Sequence, residues 1–314
     1  MSFFVSFAAK LLPLYLYIIL GIIAGRKLSS NSESIAKIIF YIISPLVILN
    51  GVINTKLDAA VLSVPFISFI IASILCLAFY RFSKKLWQDA SRNIMAFSAG
   101  SGATGFFGLP IAMILFDTQT EGVYIMALLG MTLYENSLGY YMMMRGTFTN
   151  VQCAKKILAL PTLYAFLGGI IINICHLPLP NVYYEFMDQM KSVYVVLGMM
   201  IIGLGLSSIA RIKLDPKFIS MAFLAKFIVW PVVVLAIIAI DGALFGIYDI
   251  HAQEALILLS IVPLAVNSIV MASMINFQPE KIAITVLLSA IFAFFYIPLM
   301  SFLFLESVHD KFQF

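Results

Sequence analysis

Two polar side chains that could handle a proton or a cation stand together inside an apolar stretch. Glu135 and Asn136 lie in LYENSLGYY, with apolar runs on either side. A carboxyl group at mid-membrane depth is costly to ionise, so it is by default a functional residue that can carry a proton. The alternative is a protonated structural carboxyl, hydrogen-bonded to Asn136 or to another helix. We predict that Glu135 and Asn136 take part in ion coupling.

A lysine, Lys226, lies within a second apolar stretch, LAKFIVWP. Its ammonium group could neutralise an anionic ligand or pair with Glu135. Its nearness to the end of the stretch favours a side chain that extends to the membrane surface instead. Five acidic residues fall at the ends of such stretches, where we expect solvated loop charges: Asp117, Glu121, Asp241, Asp249 and Glu254.

Residues that break helices are concentrated in GSGATGFFGLPIAM, residues 100–113. Each glycine costs about 1 kcal/mol of helix stability and a proline about 3 kcal/mol. We therefore predict that Gly102, Gly108 and Pro110 interrupt the helix. The alternative is a close-packing surface with a simple proline kink.

A second interruption is predicted in SIVPLAVNSIVMAS, residues 260–273, where Pro263 precedes Asn267 and Ser268. Irregular backbone survives in a bilayer only where protein or a watery cavity satisfies its polar groups. The half-helix after each break would present N–H groups and a positive dipole end to that cavity. Such an arrangement suits an anion, and above all a carboxylate.

The composition places these stretches in a membrane. Hydrophobic residues make up 62% of the 314 residues and charged residues 11%, and the mean hydropathy is +1.05. A spanning helix needs about 20 apolar residues. Continuous apolar runs indicate helices rather than the alternating strands of a barrel. Ten spans are predicted, at Phe3–Gly25, Ile35–Ile53, Val61–Tyr80, Ile94–Phe116, Val123–Met144, Ile157–Leu177, Val193–Ala210, Phe218–Ile240, Ala255–Phe277 and Ile282–Leu305.

Basic residues indicate the orientation, because lysine and arginine near helix ends stay on the cytoplasmic side. One side holds Lys10, Lys56, Lys191 and Lys311. The other holds Arg26, Lys27, Lys37, Arg81, Lys84, Lys85, Arg92, Arg145, Lys155, Lys156, Arg211, Lys213, Lys217 and Lys281. We predict a multi-pass protein of the cell (inner) membrane with both termini outside.

The basic connection from Arg145 to Lys156 divides the chain into two five-helix repeats, residues 1–150 and 151–314. Pro13 to Gly21 in the first repeat matches Pro161 to Gly169 in the second, although chance similarity is an alternative. An odd number of helices makes the second repeat enter the membrane inverted. Inverted repeats with paired broken helices are typical of secondary transporters.

Several classes of site are excluded or disfavoured. Cys76, Cys153 and Cys175 lack metal or disulfide spacing, and no nucleotide-binding or HExxH motif occurs. We therefore expect no enzyme, no metal or organic cofactor and no nucleic-acid partner, with Na⁺ possible as a coupling ion. The alternatives to a transporter are a channel or receptor and, less favoured, an intramembrane enzyme.

Three motifs resemble the auxin efflux carrier family, in its bacterial, malonate-transporter-like branch. They are GATGFFGLPI at Gly102–Ile111, VPLAVNSIVMAS at Val262–Ser273 and PEKIAITVLLSAIFAFFYIPL at Pro279–Leu299. LYIILGIIAGR and FYIISPLVILNGV fit the same family's opening, so the resemblance covers the whole chain. It implies an all-α, bile-acid-symporter-like fold with inverted repeats.

The resemblance further implies a scaffold of spans 1, 2, 6 and 7, and a transport unit of spans 3–5 and 8–10. Spans 4 and 9 would cross at Pro110 and Pro263. It implies a homodimer that moves small organic anions by an elevator mechanism. The paired breaks and the odd-numbered repeat favour coupling to H⁺ or Na⁺, by symport. The family often has Asn where this chain has Ala103. The predicted substrate-binding residues are Asn267, Ser268, Thr104, Gly105, Ser101 and, from span 2, Asn50.

Overall fold

The computed structural model describes residues 3–28, 32–144, 155, 158–207, 214–275 and 277–305. The predicted basic connection between the repeats, Lys155 excepted, lies outside these residues. Within them the fold is all-α, and no strand occurs. The helices are α1 (Phe3–Lys27), α2 (Ser32–Ile38), α3 (Ser44–Ile53), α4 (Ala59–Ser83), α5 (Ser91–Gly100), α6 (Leu109–Leu115), α7 (Thr118–Asn136), α8 (Leu138–Met143), α9 (Pro161–Ile174), α10 (Asn181–Ser207), α11 (Pro216–Phe223), α12 (Trp230–Leu244), α13 (Ile250–Ile261), α14 (Asn267–Met274) and α15 (Pro279–Phe304).

Seven helical stretches in the described residues are long and apolar enough to cross a membrane. They are Phe7–Lys27, Glu33–Ile53, Ala59–Ser83, Ser91–Leu115, Asn181–Ser207, Pro216–Leu244 and Pro279–Phe304. Pro161–Ile174 and Ile250–Ile261 are apolar but shorter. The prediction of an all-α membrane protein is therefore confirmed, whereas the number of ten spans stays a prediction.

Three π-helical turns each end two residues before a proline. They cover Ile39–Ile43, Thr104–Gly108 and Leu224–Val229, and the prolines are Pro45, Pro110 and Pro231. In each case the residue before the proline donates its N–H to the carbonyl five residues earlier. Proline lacks an N–H and clashes with the carbonyl four residues before it, so the wider turn accommodates the ring.

The carbonyl displaced by Pro231 finds a partner on another helix. It belongs to Phe227 and accepts a hydrogen bond of 2.6 Å from the Tyr296 hydroxyl. An unpaired carbonyl in a bilayer is costly. The contact therefore stabilises the π turn and attaches α15 to it.

The helices pack in two groups. The first helix group contains α1, α2, α3, α9 and α10, with α1 packed along α10 and α3 against α9. The second helix group contains α4–α8 and α11–α15, in which α4 packs on α5 and α7, and α13 packs on α7 and α12. The close approach of α1 and α10 depends on glycine, since a Cβ on Gly203 would overlap the carbonyl oxygen of Ile18.

An ion pair between a buried lysine and a partly exposed aspartate joins three helices of the second helix group at one end. Lys281 Nζ on α15 lies 2.7 Å from Asp215 Oδ2 before α11, and it donates a 3.0 Å hydrogen bond to Ser91 on α5. Burial opposes ionisation of Asp215, but Lys281 and the backbone N–H of Phe218 hold the pKa of this carboxyl below its usual value.

The prediction of solvated outer acids is wrong for three residues. Glu121 is only 7% exposed and lies 2.7 Å from Lys191 Nζ. Asp241 is also buried and accepts hydrogen bonds from the backbone of Ile247 and Tyr248, and Glu254 is completely buried. Burial of Glu121 follows from its pairing with Lys191, and burial of Asp241 from its hydrogen bonds to a loop, which position in the sequence alone does not reveal.

The α1–α10 contact can be tested with a glycine pair. We expect Gly203→Ala to lower the free energy of unfolding by about 1–3 kcal/mol, because the new methyl group meets backbone that cannot move aside. Gly242→Ala in α12 is the control, since a Cβ there would have no atom within 4 Å. Thermal denaturation in detergent measures both. Equal stability of the two variants would contradict the packing described.

Candidate functional site

The two interrupted spans meet at their breaks. Helix α5 ends at Gly100, and Ser101–Ala103 separate it from the π turn that begins at Thr104. Helix α13 ends at Ile261, and residues 262–266 precede α14. The backbone N–H of Ala103 donates a 2.8 Å hydrogen bond to the carbonyl of Pro263. Each irregular segment thus satisfies a polar group of the other. We call this contact the crossing.

Pro110 does not lie at the break of the first interrupted span, where it was predicted. Pro110 lies near the start of α6, and Gly108 belongs to the helical turn before it, so neither of them interrupts the span. Proline is tolerated in a first helical turn, where its missing N–H costs little. The interruption falls at Ser101, Gly102 and Ala103, and Ala103 rather than Pro110 hydrogen-bonds to Pro263. The prediction that Pro110 itself breaks the helix is wrong.

A cavity of about 230 Å³ opens beside the crossing. Both helix groups line it, with Ser44, Thr162 and Tyr194 from the first group. Among the predicted site residues, the second group contributes Gly102, Thr104, Gly105, Glu135, Asn136 and Asn267.

The polar contact inside the cavity joins the two halves of the chain. Asn267 Nδ2, at the start of α14, donates a 2.7 Å hydrogen bond to Glu135 Oε2 near the end of α7. The Asn136 amide nitrogen donates instead to the carbonyl of Thr132 on its own helix. The carboxyl group is therefore fixed by Asn267, and the Asn267 amide has a second N–H that can donate to a ligand.

The prediction that the Lys226 side chain extends to the membrane surface is wrong. It lies in the π turn Leu224–Val229, its exposure is 0%, and Nζ has no hydrogen-bond partner among the described residues. The ammonium group lies 4.6 Å from the centroid of the Trp230 ring. It interacts electrostatically with Glu135. Desolvation of a buried amino group without a hydrogen-bond partner is expensive, so Lys226 is a candidate functional residue.

Gly102 separates Lys226 from the cavity. A Cβ at position 102 would lie 2.6 Å from Lys226 Nζ and 3.3 Å from a methyl group of Val262. Gly102 itself lines the cavity. The ammonium group thus lies directly behind the broken backbone. The Lys-x-x-x-Trp-Pro spacing is the sequence signal that could have revealed the position of Lys226. It places Lys226 one helical turn before Trp230, in the π turn that precedes Pro231.

Several predicted residues lie outside the cavity wall. Ser101 is buried, and its hydroxyl has no partner among the described residues. Ser268 accepts a 3.1 Å hydrogen bond from Ser98. Asn50 accepts hydrogen bonds from the Asn54 side chain, which caps the end of α3.

Sequence reasoning missed three polar residues of the wall: Thr132, Thr162 and Tyr194. Tyr194 hydrogen-bonds to Ser44 across the first helix group, and its ring lies 6.3 Å from that of Phe106. No local motif marks these residues. Thr132 lies on α7, whereas Thr162 and Tyr194 become part of the site because α9 and α10 pack beside the crossing.

An all-α bundle of apolar helices, with two interrupted spans around a polar cavity, is the architecture of a membrane transport protein. A profile of the family described as "Membrane transport protein" matches residues 146–301. The chain belongs to this family, the auxin efflux carrier family that its motifs indicate. No curated protein matches the chain.

The crossing depends on close contact at Gly108, which can be tested. A Cβ there would overlap the hydroxyl of the buried Tyr124, which donates a 3.0 Å hydrogen bond to the carbonyl of Thr104. We expect Gly108→Ala to break this bond and to destabilise the protein by about 1–3 kcal/mol. Gly105→Ala is the control, because its nearest neighbour would lie at 3.5 Å. Thermal unfolding in detergent compares the two, and equal midpoints would refute the role of Gly108.

Proposed function

We propose that the protein is a secondary active transporter of small organic anions, carboxylates in particular, and that it works by an elevator-type mechanism coupled to H⁺ or Na⁺. The observation that carries the proposal is the crossing beside a polar cavity, with Ala103 bonded to Pro263 and Asn267 bonded to Glu135. Paired broken helices that meet at a cavity suit alternating access to one central site.

Preference for an anion follows from the charges around the cavity. The π turn from Thr104 and helix α14 from Asn267 both start at the cavity, so their positive dipole ends face it, while the N–H groups of Thr104, Ser268 and Ile269 donate to preceding backbone carbonyls. The Lys226 amino group behind Gly102 adds a positive charge when it is protonated. A carboxylate beside Gly102 would interact with all three. The Asn267 amide supports orientation of the same ligand.

The size of the cavity favours a small substrate. One water molecule occupies about 30 Å³ of liquid, so about 230 Å³ holds roughly eight waters. Drug-sized ligands occupy pockets of roughly 300–1,000 Å³. A mono- or dicarboxylate of a few carbon atoms fits this space.

An elevator movement is supported by the position of the cavity between the helix groups. Ser44, Thr162 and Tyr194 face it from the first helix group, and the crossing faces it from the second. We propose that the first helix group is the scaffold and that the second carries the substrate past it. The ten-span inverted repeat, the homodimer and the outside position of both termini in the cell membrane belong to the same proposal.

Coupling is assigned to Glu135. Its carboxyl group receives a hydrogen bond from Asn267 in the cavity and lies within electrostatic reach of Lys226. A proton on Glu135, or a sodium ion beside it, would offset its negative charge when an anionic substrate enters. The driving ion and the substrate would then occupy the site together.

Removal of the Asn267 amide tests the substrate site. We expect Asn267→Ala to reduce saturable uptake of radiolabelled malonate or acetate into proteoliposomes by at least tenfold, since a buried ligand hydrogen bond to a charged group contributes about 1.5–3 kcal/mol. Asn54→Ala is the matched control, because within the described residues that amide donates to Asn50, which lies outside the cavity. Wild-type uptake by Asn267→Ala, or uptake by the native protein that neither saturates nor shows counterflow, would sink the proposal.

Glu135→Gln separates coupling from binding. The amide oxygen of glutamine can still accept the Asn267 hydrogen bond, but the side chain cannot exchange a proton. We expect substrate exchange between the two sides to persist while accumulation driven by an ion gradient is lost. Glu185→Gln on α10, with an exposed side chain, serves as the control. Normal accumulation by Glu135→Gln would remove Glu135 from the mechanism.

A further inference from the structure

A second cavity, of about 450 Å³, lies where α4 ends and α5 begins, away from the crossing. Its wall contains three cations, Arg81, Lys84 and Arg92, together with Tyr80 and Tyr141, and no acidic residue of the described chain lines it. No ion pair is found for these cations within the described residues. The nearby Asp89 does not line the cavity, and its carboxylate accepts a hydrogen bond from the backbone of Ser91.

Arg92 is held in place before any ligand arrives. Its guanidinium carbon lies 3.9 Å from the centroid of the Tyr80 ring, and it donates a hydrogen bond to the Tyr80 hydroxyl. Its Nε is buried and has no hydrogen-bond partner in the described part of the chain. A guanidinium group with a donor to spare is well suited to a phosphate, which it can contact through two N–H groups.

An apolar stripe on α4 leads directly to these cations. Phe66, Ile70, Ile74 and Leu77 are exposed, and their spacing of three or four residues puts them on one face of the helix. The same spacing continues to Arg81 and Lys84. From Ile70 to Arg81 the helix rises by roughly 16 Å, which is about half of the roughly 30 Å hydrocarbon core.

We propose that this cavity binds the headgroup of an anionic phospholipid, whose acyl chains lie along the stripe from Leu77 to Phe66. The phosphate contacts Arg92, Arg81 and Lys84, and the tails cover the exposed apolar face. The distribution of basic residues predicts that this end of α4 is cytoplasmic, where basic pockets between spans recognise anionic lipids. A soluble phosphate would use the cations but not the stripe, so the stripe favours a lipid.

Binding of defined lipids to the purified native protein tests the proposal. Phosphatidylglycerol and phosphatidylcholine with identical acyl chains are compared by native mass spectrometry in detergent. We expect tighter binding of phosphatidylglycerol. Arg81→Gln with Lys84→Gln should weaken that binding by about 25-fold, from about fivefold for each cation. Arg92 stays intact in this variant, so its contact with Tyr80 is retained.

The matched control removes two cations elsewhere. Arg26→Gln with Lys27→Gln lowers the net charge equally, in the last turn of α1 on the side also predicted to be cytoplasmic. We expect it to bind phosphatidylglycerol like the native protein. Equal losses in the two double variants, or equal binding of the two lipids by the native protein, would overturn the proposal. The proposal would also be overturned if glycerol 3-phosphate alone protected the protein from thermal unfolding as well as phosphatidylglycerol does, because glycerol 3-phosphate has the phosphate without the acyl chains.

Discussion

A bilayer offers no water to an unpaired peptide group, and the structure around the crossing follows from this constraint. The break in the fourth predicted span exposes carbonyl and N–H groups, and side chains or backbone from other helices satisfy them. The partners are Tyr134 for the carbonyl of Phe97, Trp230 for that of Ala99, Tyr124 for that of Thr104, and Pro263 for the N–H of Ala103. In the second break, the N–H of Leu264 donates to Ser289. The crossing is therefore a hydrogen-bonded unit in which each partner fixes the position of another.

The same constraint links the π turns to the polar site. A proline displaces one carbonyl and removes one N–H, so each proline-adjacent turn needs help from elsewhere in the bundle. The turn before Pro231 places Lys226 against Trp230, and the turn before Pro110 places Thr104 and Gly105 on the cavity wall. Local widening of a helix thus directs polar groups inward. The energetic cost of a wider turn is offset by cross-helix hydrogen bonds such as that of Tyr296.

Much of the architecture could be predicted because membrane constraints act locally. Apolar runs reveal spanning helices, and clustered glycine or proline reveals an interruption, so the breaks at Gly102 and Pro263 were accessible from sequence. The pairing of Glu135 with Asn267 cannot be predicted from the sequence, since it depends on how two distant helices approach each other. The predicted helix break at Pro110 is wrong because a π turn accommodates a proline without ending the helix. The predicted direction of the Lys226 side chain is wrong because a long side chain can extend to the membrane surface or into the bundle, and tertiary packing determines which.

Trp230 has a further consequence. Only two tryptophans occur in the chain, and Trp87 lies elsewhere, against Phe218. The indole of Trp230 donates a 2.7 Å hydrogen bond to the end of α5 while its ring faces a buried ammonium group. Its emission spectrum is consequently sensitive to the local electric field, so the molecule carries a native optical reporter of events at its own centre.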